Sequence, residues 1–173
     1  MKQISIGNAQ PEDFDRIGNL LVRVYSALDG FPKPEEQPAY YQMLRNVGRL
    51  IETPSTEIFV ARNSQQELLG AVVFFGDMKD YGSGGTAVQE QDACGFRLLA
   101  VDPAARGLGI GKDLSTACIE RTRELGRKKV VIHSTEAMQV AWGMYERLGF
   151  KRALDLDFMQ QQLPVYGFRL HLD

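Results

Sequence analysis

Residues 98–114, LLAVDPAARGLGIGKDL, constrain this chain more than any other stretch. An apolar strand ends at Val101, Pro103 stops the strand ladder, and Gly107, Gly109 and Gly111 open a helix. Without Cβ atoms, successive backbone N–H groups can approach an anion closely and point at it. The start of a helix adds partial positive charge. The segment therefore has the design of a phosphate-cradling turn. Two nucleotide motifs fail on it. A P-loop needs Gly-x-x-x-x-Gly-Lys-Ser/Thr, but Asp113 follows Gly111 and Lys112, and Arg106 stands where the first glycine belongs. The dinucleotide pattern Gly-x-Gly-x-x-Gly, counted from Gly107, ends on Lys112, and no early β-α-β unit carries it.

The elements around the turn indicate the fold class. Residues 3–6 form a short strand, and Pro11, Glu12 and Asp13 start a helix with acids in its first turn. Phe14, Ile17, Leu20, Leu21, Val24 and Leu28 line one face of that helix. Gly30, Pro32, Pro34 and Pro38 break it, and a second helix runs over 39–50. Strands at 57–62 and 68–75 are joined by a polar turn as an antiparallel hairpin. Residues 77–92, with Gly82, Gly84 and Gly85, read as a mobile loop. A strand at 95–101, a helix at 109–125 closed by Gly126, and a buried strand at 129–133 follow. Met138, Ala141, Trp142, Tyr145 and Leu148 recur at helical spacing up to Gly149, and two strands joined by a turn at 160–164 complete the chain. The order is β-α-α-β-β-β-α-β-α-β-β. It predicts a single α/β domain over 1–173, with a mixed, mostly antiparallel central sheet flanked by helices.

Composition removes several function classes. No apolar run approaches the roughly 20 residues of a membrane span. The N-terminus lacks the apolar core of a signal peptide. A net charge of −2 speaks against a nucleic-acid partner. Cys94 and Cys118 form no CxxC pair, and free thiols without an export signal suggest a reducing cytoplasm. His133 and His171 belong to no spaced ligand motif, so no metal is expected.

Arg106, Gly109 and Gly111 match the Arg/Gln-x-x-Gly-x-Gly/Ala signature of the GNAT superfamily of N-acetyltransferases, which this segment resembles. Leu99 to Pro103 (LAVDP) looks like the family's strand end. Residues 141–150, AWGMYERLGF, resemble its A-x-x-x-Y-E-x-L-G-F helix. The close resemblance spans 96–150, and the element order agrees with the family fold. It implies acetyl-CoA as acyl donor, lying in an opening between the strands that end near Val101 and His133. Backbone groups of Leu99, Ala100 and Val101 would pair with the pantetheine arm, as an added strand would. Amides of Arg106, Gly107, Leu108, Gly109, Ile110, Gly111 and Lys112 would hold the pyrophosphate. An N–H near Leu99 would polarise the thioester carbonyl. A neutral primary amine, a small molecule rather than a protein, would attack directly, and Tyr145 would protonate the departing thiolate. The family's cofactor-contacting Asn, seven residues before this tyrosine, is Met138 here, with Ser134 or Thr135 as stand-ins.

For the base, Glu90 and Asp92 ahead of the central strand are the first candidates, with Glu57 and His133 behind them. Cys94 reads as an inert, partly buried thiol rather than a nucleophile. Tyr25, Asp29 and Phe31, with Tyr40 and Tyr41 nearby, place aromatics and an acid where a cationic amine would be held. Family members are often dimers, so a homodimer is expected among the partners. A non-catalytic acyl-CoA-sensing module is the alternative function, and an interaction protein that kept only the fold is a third.

Overall fold

The computed structural model describes residues 3–173. In chain order come β1 (Ser5–Asn8), α1 (Phe14–Ser26), α2 (Pro38–Arg45), β2 (Thr56–Arg62), β3 (Leu68–Phe75) and β4 (Ala93–Val101). Then follow α3 (Ile110–Glu124), β5 (Lys129–Ser134), α4 (Gln139–Arg147), β6 (Lys151–Arg152), β7 (Phe158–Gln160) and β8 (Leu163–His171). The expected order holds, with the two-residue β6 added. The second helix ends at Arg45 and continues as a 3-10 segment over Val47–Glu52, because Asn46 and Gly48 are weak helix formers. The first strand lies two residues later than expected, where β2 supplies its partners from Ser5↔Arg62 to Asn8↔Phe59.

The strands are ordered β1-β2-β3-β4-β5-β8-β6, with β7 paired to β8 off this path. Helices cover both faces, so the central strands read as nearly continuous apolar runs. On the first face, Ile58, Val60, Ala71, Val73 and Phe75 pack under Ile17, Leu20, Leu21 and Tyr25 of α1 and Tyr41 and Leu44 of α2. On the second, Phe59, Ala61, Val72, Phe74 and Phe96 pack under Ile110, Leu114 and Cys118 of α3 and Tyr145 of α4. The residues 77–92 are not a free loop. Met78, Tyr81 and Ala87 are buried and pin the segment to the first face.

All neighbouring strands run antiparallel except β4 and β5. That pair is reached by the α3 crossover and holds only over Ala93↔Lys129, Cys94↔Val130 and Gly95↔Val131. Beyond Gly95 and Val131 the two strands stay bonded to their outer neighbours, β3 and β8, but not to each other. The sheet therefore forks at its centre.

Candidate active site

The fork opens at the C-terminal ends of β4 and β5. On its β4 side the ladder with β3 slips between Ala71 and Val73, so that Val72 stands against both Leu98 and Leu99. Leu98 adopts φ 59°, a left-handed conformation that costs a side-chain-bearing residue about 1–2 kcal/mol. The bulge resets the alternation. Arg97 faces the same side as Val73, and Leu98 and Ala100 join the same core. On the β5 side the strand ends in two buried hydroxyls, Ser134 and Thr135, and neither hydroxyl has a hydrogen-bond partner. Two orphaned buried hydroxyls at the mouth of an opening fit a polar ligand that supplies the missing bonds.

The glycine turn lies past the end of β4. Gly107 and Gly109 take φ 82° and 78°, values that bearing a Cβ would penalise. Gly109 caps α3 without any side-chain bond, which leaves the first amides of that helix without a side-chain acceptor. Asp102 closes the preceding turn by accepting from the Ala104 amide at 2.9 Å. Gly111 lies in the first turn of α3, where a Cβ would sit 3.5 Å from the Met144 sulfur of α4 and 3.9 Å from Leu99. The fork, the turn and α4 thus converge.

Tyr145 points inward from α4, 6% exposed, with its ring edge-on to Phe96 and Phe150 at 5.9 and 5.8 Å. Burial pushes its phenol up, with Tyr81 and Cys118 adding to the effect. Tyr25 lies on the opposite face of the sheet, and burial pushes its phenol up, with Tyr40 and Tyr145 adding to the effect. Tyr25 donates to the Leu99 carbonyl at 3.2 Å and packs against the tilted Phe31 ring at 5.4 Å. Tyr81 lies over Gly95, where a Cβ would meet its ring at 2.7 Å, and its hydroxyl is 3.0 Å from His133 Nδ1. His133 Nε2 is 2.9 Å from the Leu156 carbonyl and must donate to it, so Nδ1 accepts from Tyr81. Burial lowers the His133 pKa, and the ring is neutral at pH 7.

Several sequence expectations fail on geometry. β4 and β5 meet at their N-terminal ends and part at their C-terminal ends, so Glu90 and Asp92 lie at the closed end of the fork. Seven residues of extended chain separate Asp92 from Leu99, about 20 Å, which no base can bridge. Glu90 is moreover bound to Lys129 at 3.0 Å and to Arg169 at 2.8 and 3.0 Å. Partial burial pushes its carboxyl up, but those cations outweigh burial and hold it below the usual carboxylate range. Asp92 is exposed at the strand start. Glu57 is tied to Arg121 of α3 at 2.7 Å. Asp29 is exposed in the turn after α1 and joins no cage with Tyr25 and Phe31. Cys94 and Cys118 are free and buried, and burial pushes both thiols up, as expected of inert cysteines.

The residue that sequence reasoning missed is Arg97. It projects from the fork into an open pocket of about 630 Å³ on the first face, lined by residues of α2, the 80–85 segment and β7. The signal was present as the one charge inside the nine-residue apolar strand ACGFRLLAV. Another open groove, of about 840 Å³, runs between α1, the β2–β3 turn and Ala105, away from the β5 side of the fork.

The family model described as acetyltransferase (GNAT) family matches residues 17–150. The chain belongs to that family and is an acyltransferase. A relative is the uncharacterized N-acetyltransferase YjgM of Escherichia coli strain K12, 28% identical over 117 residues, covering 65% of this chain and 69% of the relative. Among solved structures, a GNAT-family acetyltransferase of Staphylococcus aureus Mu50 superposes with a TM-score of 0.75 at 16% identity, over 99% of this chain and 100% of that one. The yncA structure from Salmonella typhimurium, solved with its cofactor acetyl-CoA, gives 0.65 at 18% identity, over 99% and 95%. Likenesses at this identity show the fold.

Proposed function

We propose that the protein transfers an acetyl group from acetyl-CoA to the neutral nitrogen of a small-molecule primary amine by direct attack on the thioester. The observation that carries this reading is the fork itself, with a bulged strand on one side and the orphaned Ser134 and Thr135 hydroxyls on the other. The donor would place its pantetheine between them and its pyrophosphate on the amides of Arg106 through Lys112. Backbone N–H groups at Leu99 to Val101, freed where β5 departs, would bond the pantetheine and steady the carbonyl as its oxygen gains charge. Ser134 and Thr135 take over the contact that Met138 cannot make. Tyr145 keeps its proton at neutral pH and would give it to the departing sulfur. His133 is the one neutral imidazole at the fork, and it can draw a proton through Tyr81. Two buried free thiols suit a reducing compartment, and we assign the protein to the cytoplasm.

The test is Tyr145→Phe, read by thiol release from acetyl-CoA and by calorimetric titration of the donor. Turnover is expected to fall by about 10²-fold, the scale of a lost general acid, with donor affinity within about threefold of wild type. Equal loss of both would reduce Tyr145 to packing. Saturable donor binding without transfer to any amine would instead favour an acyl-CoA sensor.

A further inference from the structure

The cavity beside the fork contains a cation without a counter-ion. The Arg97 guanidinium donates from Nη1 to the Tyr81 carbonyl at 3.0 Å and sits 5.7 Å from the centre of the Tyr81 ring. A guanidinium has five N–H donors, and the remaining ones meet no acceptor among the described residues. Among the described residues Arg97 joins no ion pair, although the arginines on the other strands, Arg62, Arg152 and Arg169, are all paired. Asp80 lines the same cavity, but it accepts from Ser55 at 2.8 Å and lies beyond ion-pair distance of Arg97. The titratable groups that feel Arg97 are the phenols of Tyr25, Tyr40 and Tyr81 and the His133 imidazole. Burial keeps every one of them neutral at pH 7, with Tyr40 pushed up to about 12. A partly buried cation held in place and left unpaired is costly to a protein unless a ligand completes it.

The position of Arg97 says which part of the ligand it meets. It lies two residues beyond Gly95, the last β4 residue bonded to β5, and directly before the bulge at Leu98. Its backbone thus stands beside the fork, while its guanidinium reaches to the Tyr81 carbonyl at the pocket wall, so a group bound to it lies on the acceptor side of the sheet. Phe75, Met43 and Phe158 supply apolar wall to the same pocket. We infer that the acceptor is a primary amine that also carries a negatively charged oxygen group, an α-amino acid or an aminophosphonate in the simplest cases, and that Arg97 grips that group. This deepens the N-acetyltransferase reading and rests on it. It also replaces the expected cage for a cation: a polyamine would bring a second positive charge against Arg97. Charge-assisted pairs of this type discriminate strongly, because the analogue without the anion leaves the guanidinium unpaired.

The experiment compares the standard amino acids with their amides, with isopentylamine and spermidine, and with the aminophosphonate analogue of leucine. Thiol release at saturating acetyl-CoA gives kcat/KM for each. At least one amino acid or the phosphonate is expected to exceed its uncharged counterpart by about 100-fold. The amide's less basic nitrogen biases the comparison the other way. Arg97→Met should collapse that preference, and Arg97→Lys should retain part of it. Melting curves and acetyl-CoA titration check that the variants fold, and Arg97→Lys carries the comparison if Arg97→Met does not. A wild-type enzyme that uses the amides, isopentylamine or spermidine as well as the acids would overturn the inference and leave the enzyme reading intact. So would Arg97 variants that lower acid and amide in equal proportion, or a protein that binds acetyl-CoA and acetylates none of the anionic amines. Absence of acetyl-CoA binding would overturn the enzyme reading itself, and this inference with it.

Discussion

Glu90→Gln separates a structural carboxylate from a catalytic one. Glu90 is 14% exposed, and it receives three charge-assisted bonds, one from Lys129 at 3.0 Å and two from Arg169 at 2.8 and 3.0 Å. Bonds of this kind are worth about 1.5–3 kcal/mol each, and breaking a fully buried pair costs about 3–5 kcal/mol. Two facts moderate the loss here. Glutamine keeps one acceptor oxygen, and Asp155 still holds Arg169 at 2.9 Å. A cost of about 2–3 kcal/mol follows. For a chain of this size each kcal/mol moves the melting temperature by about 2–4 °C, so Tm should fall by about 4–12 °C. A general base would show differently, since its removal costs about 10²–10⁴ in rate. The assay pairs a thermal melt with kcat/KM at a temperature where both proteins are folded. The reasoning expects a lower Tm with turnover within about twofold of wild type, far from the loss of a base. A variant that melts like wild type and loses a hundredfold in turnover would refute it.

Gly109→Ala tests the anion cradle. A Cβ there meets no atom within 4 Å, so the cost is the left-handed backbone at φ 78°, about 1–2 kcal/mol and a drop in Tm of about 2–8 °C. Calorimetry should nonetheless show acetyl-CoA affinity falling by more than about 30-fold as the amides turn away from the phosphates, and unchanged affinity would remove the turn from the site. His133→Gln tests the buried imidazole. Its folded pKa is below the unfolded value of about 6.5, so the unfolded chain binds the proton more readily. Stability from this group is complete above about 6.5 and is lost as pH falls through the folded value. Between pH 7.5 and 5.5 the urea midpoint should drop further in wild type than in the variant, and parallel drops would contradict the burial argument.

The elements whose signal is local were legible in the sequence. The glycine turn, the β2–β3 hairpin and the apolar stripe of α1 each carry their pattern within a dozen residues, and each stands where it was expected. The site needed more. The opening was expected where β4 ends, near Val101, but Glu90 and Asp92 stand before its start, so nearness to the strand in sequence hid a separation of the strand's own length and they lie at the closed end. Strict alternation from Ala93 gives Leu99 and Val101 the face of Arg97, but the bulge at Leu98 transfers that face to Leu98 and Ala100. A register slip of this kind is decided by β3 across the ladder, not by β4 alone. The residues 77–92 look loose by composition, because polar and glycine positions outnumber the three side chains, Met78, Tyr81 and Ala87, that anchor them.

The strand order has a consequence for synthesis. β8 follows every other strand in sequence, yet it lies between β5 and β6 and bonds β5 over six residue pairs, from Lys129↔His171 to Ser134↔Tyr166. While the ribosome is still making β8, Val130 and Ile132 sit in a strand with one bare edge, and Phe158 of β7 has no partner strand to hold it over Gly84 and Gly85. The first half of the sheet can pair on the emerging chain, but the β7 wall of the pocket beside Arg97 cannot form yet. A nascent chain therefore completes the β2–β3 and β3–β4 ladders before the β5 edge is covered, and that edge stays bare until β8 pairs with it.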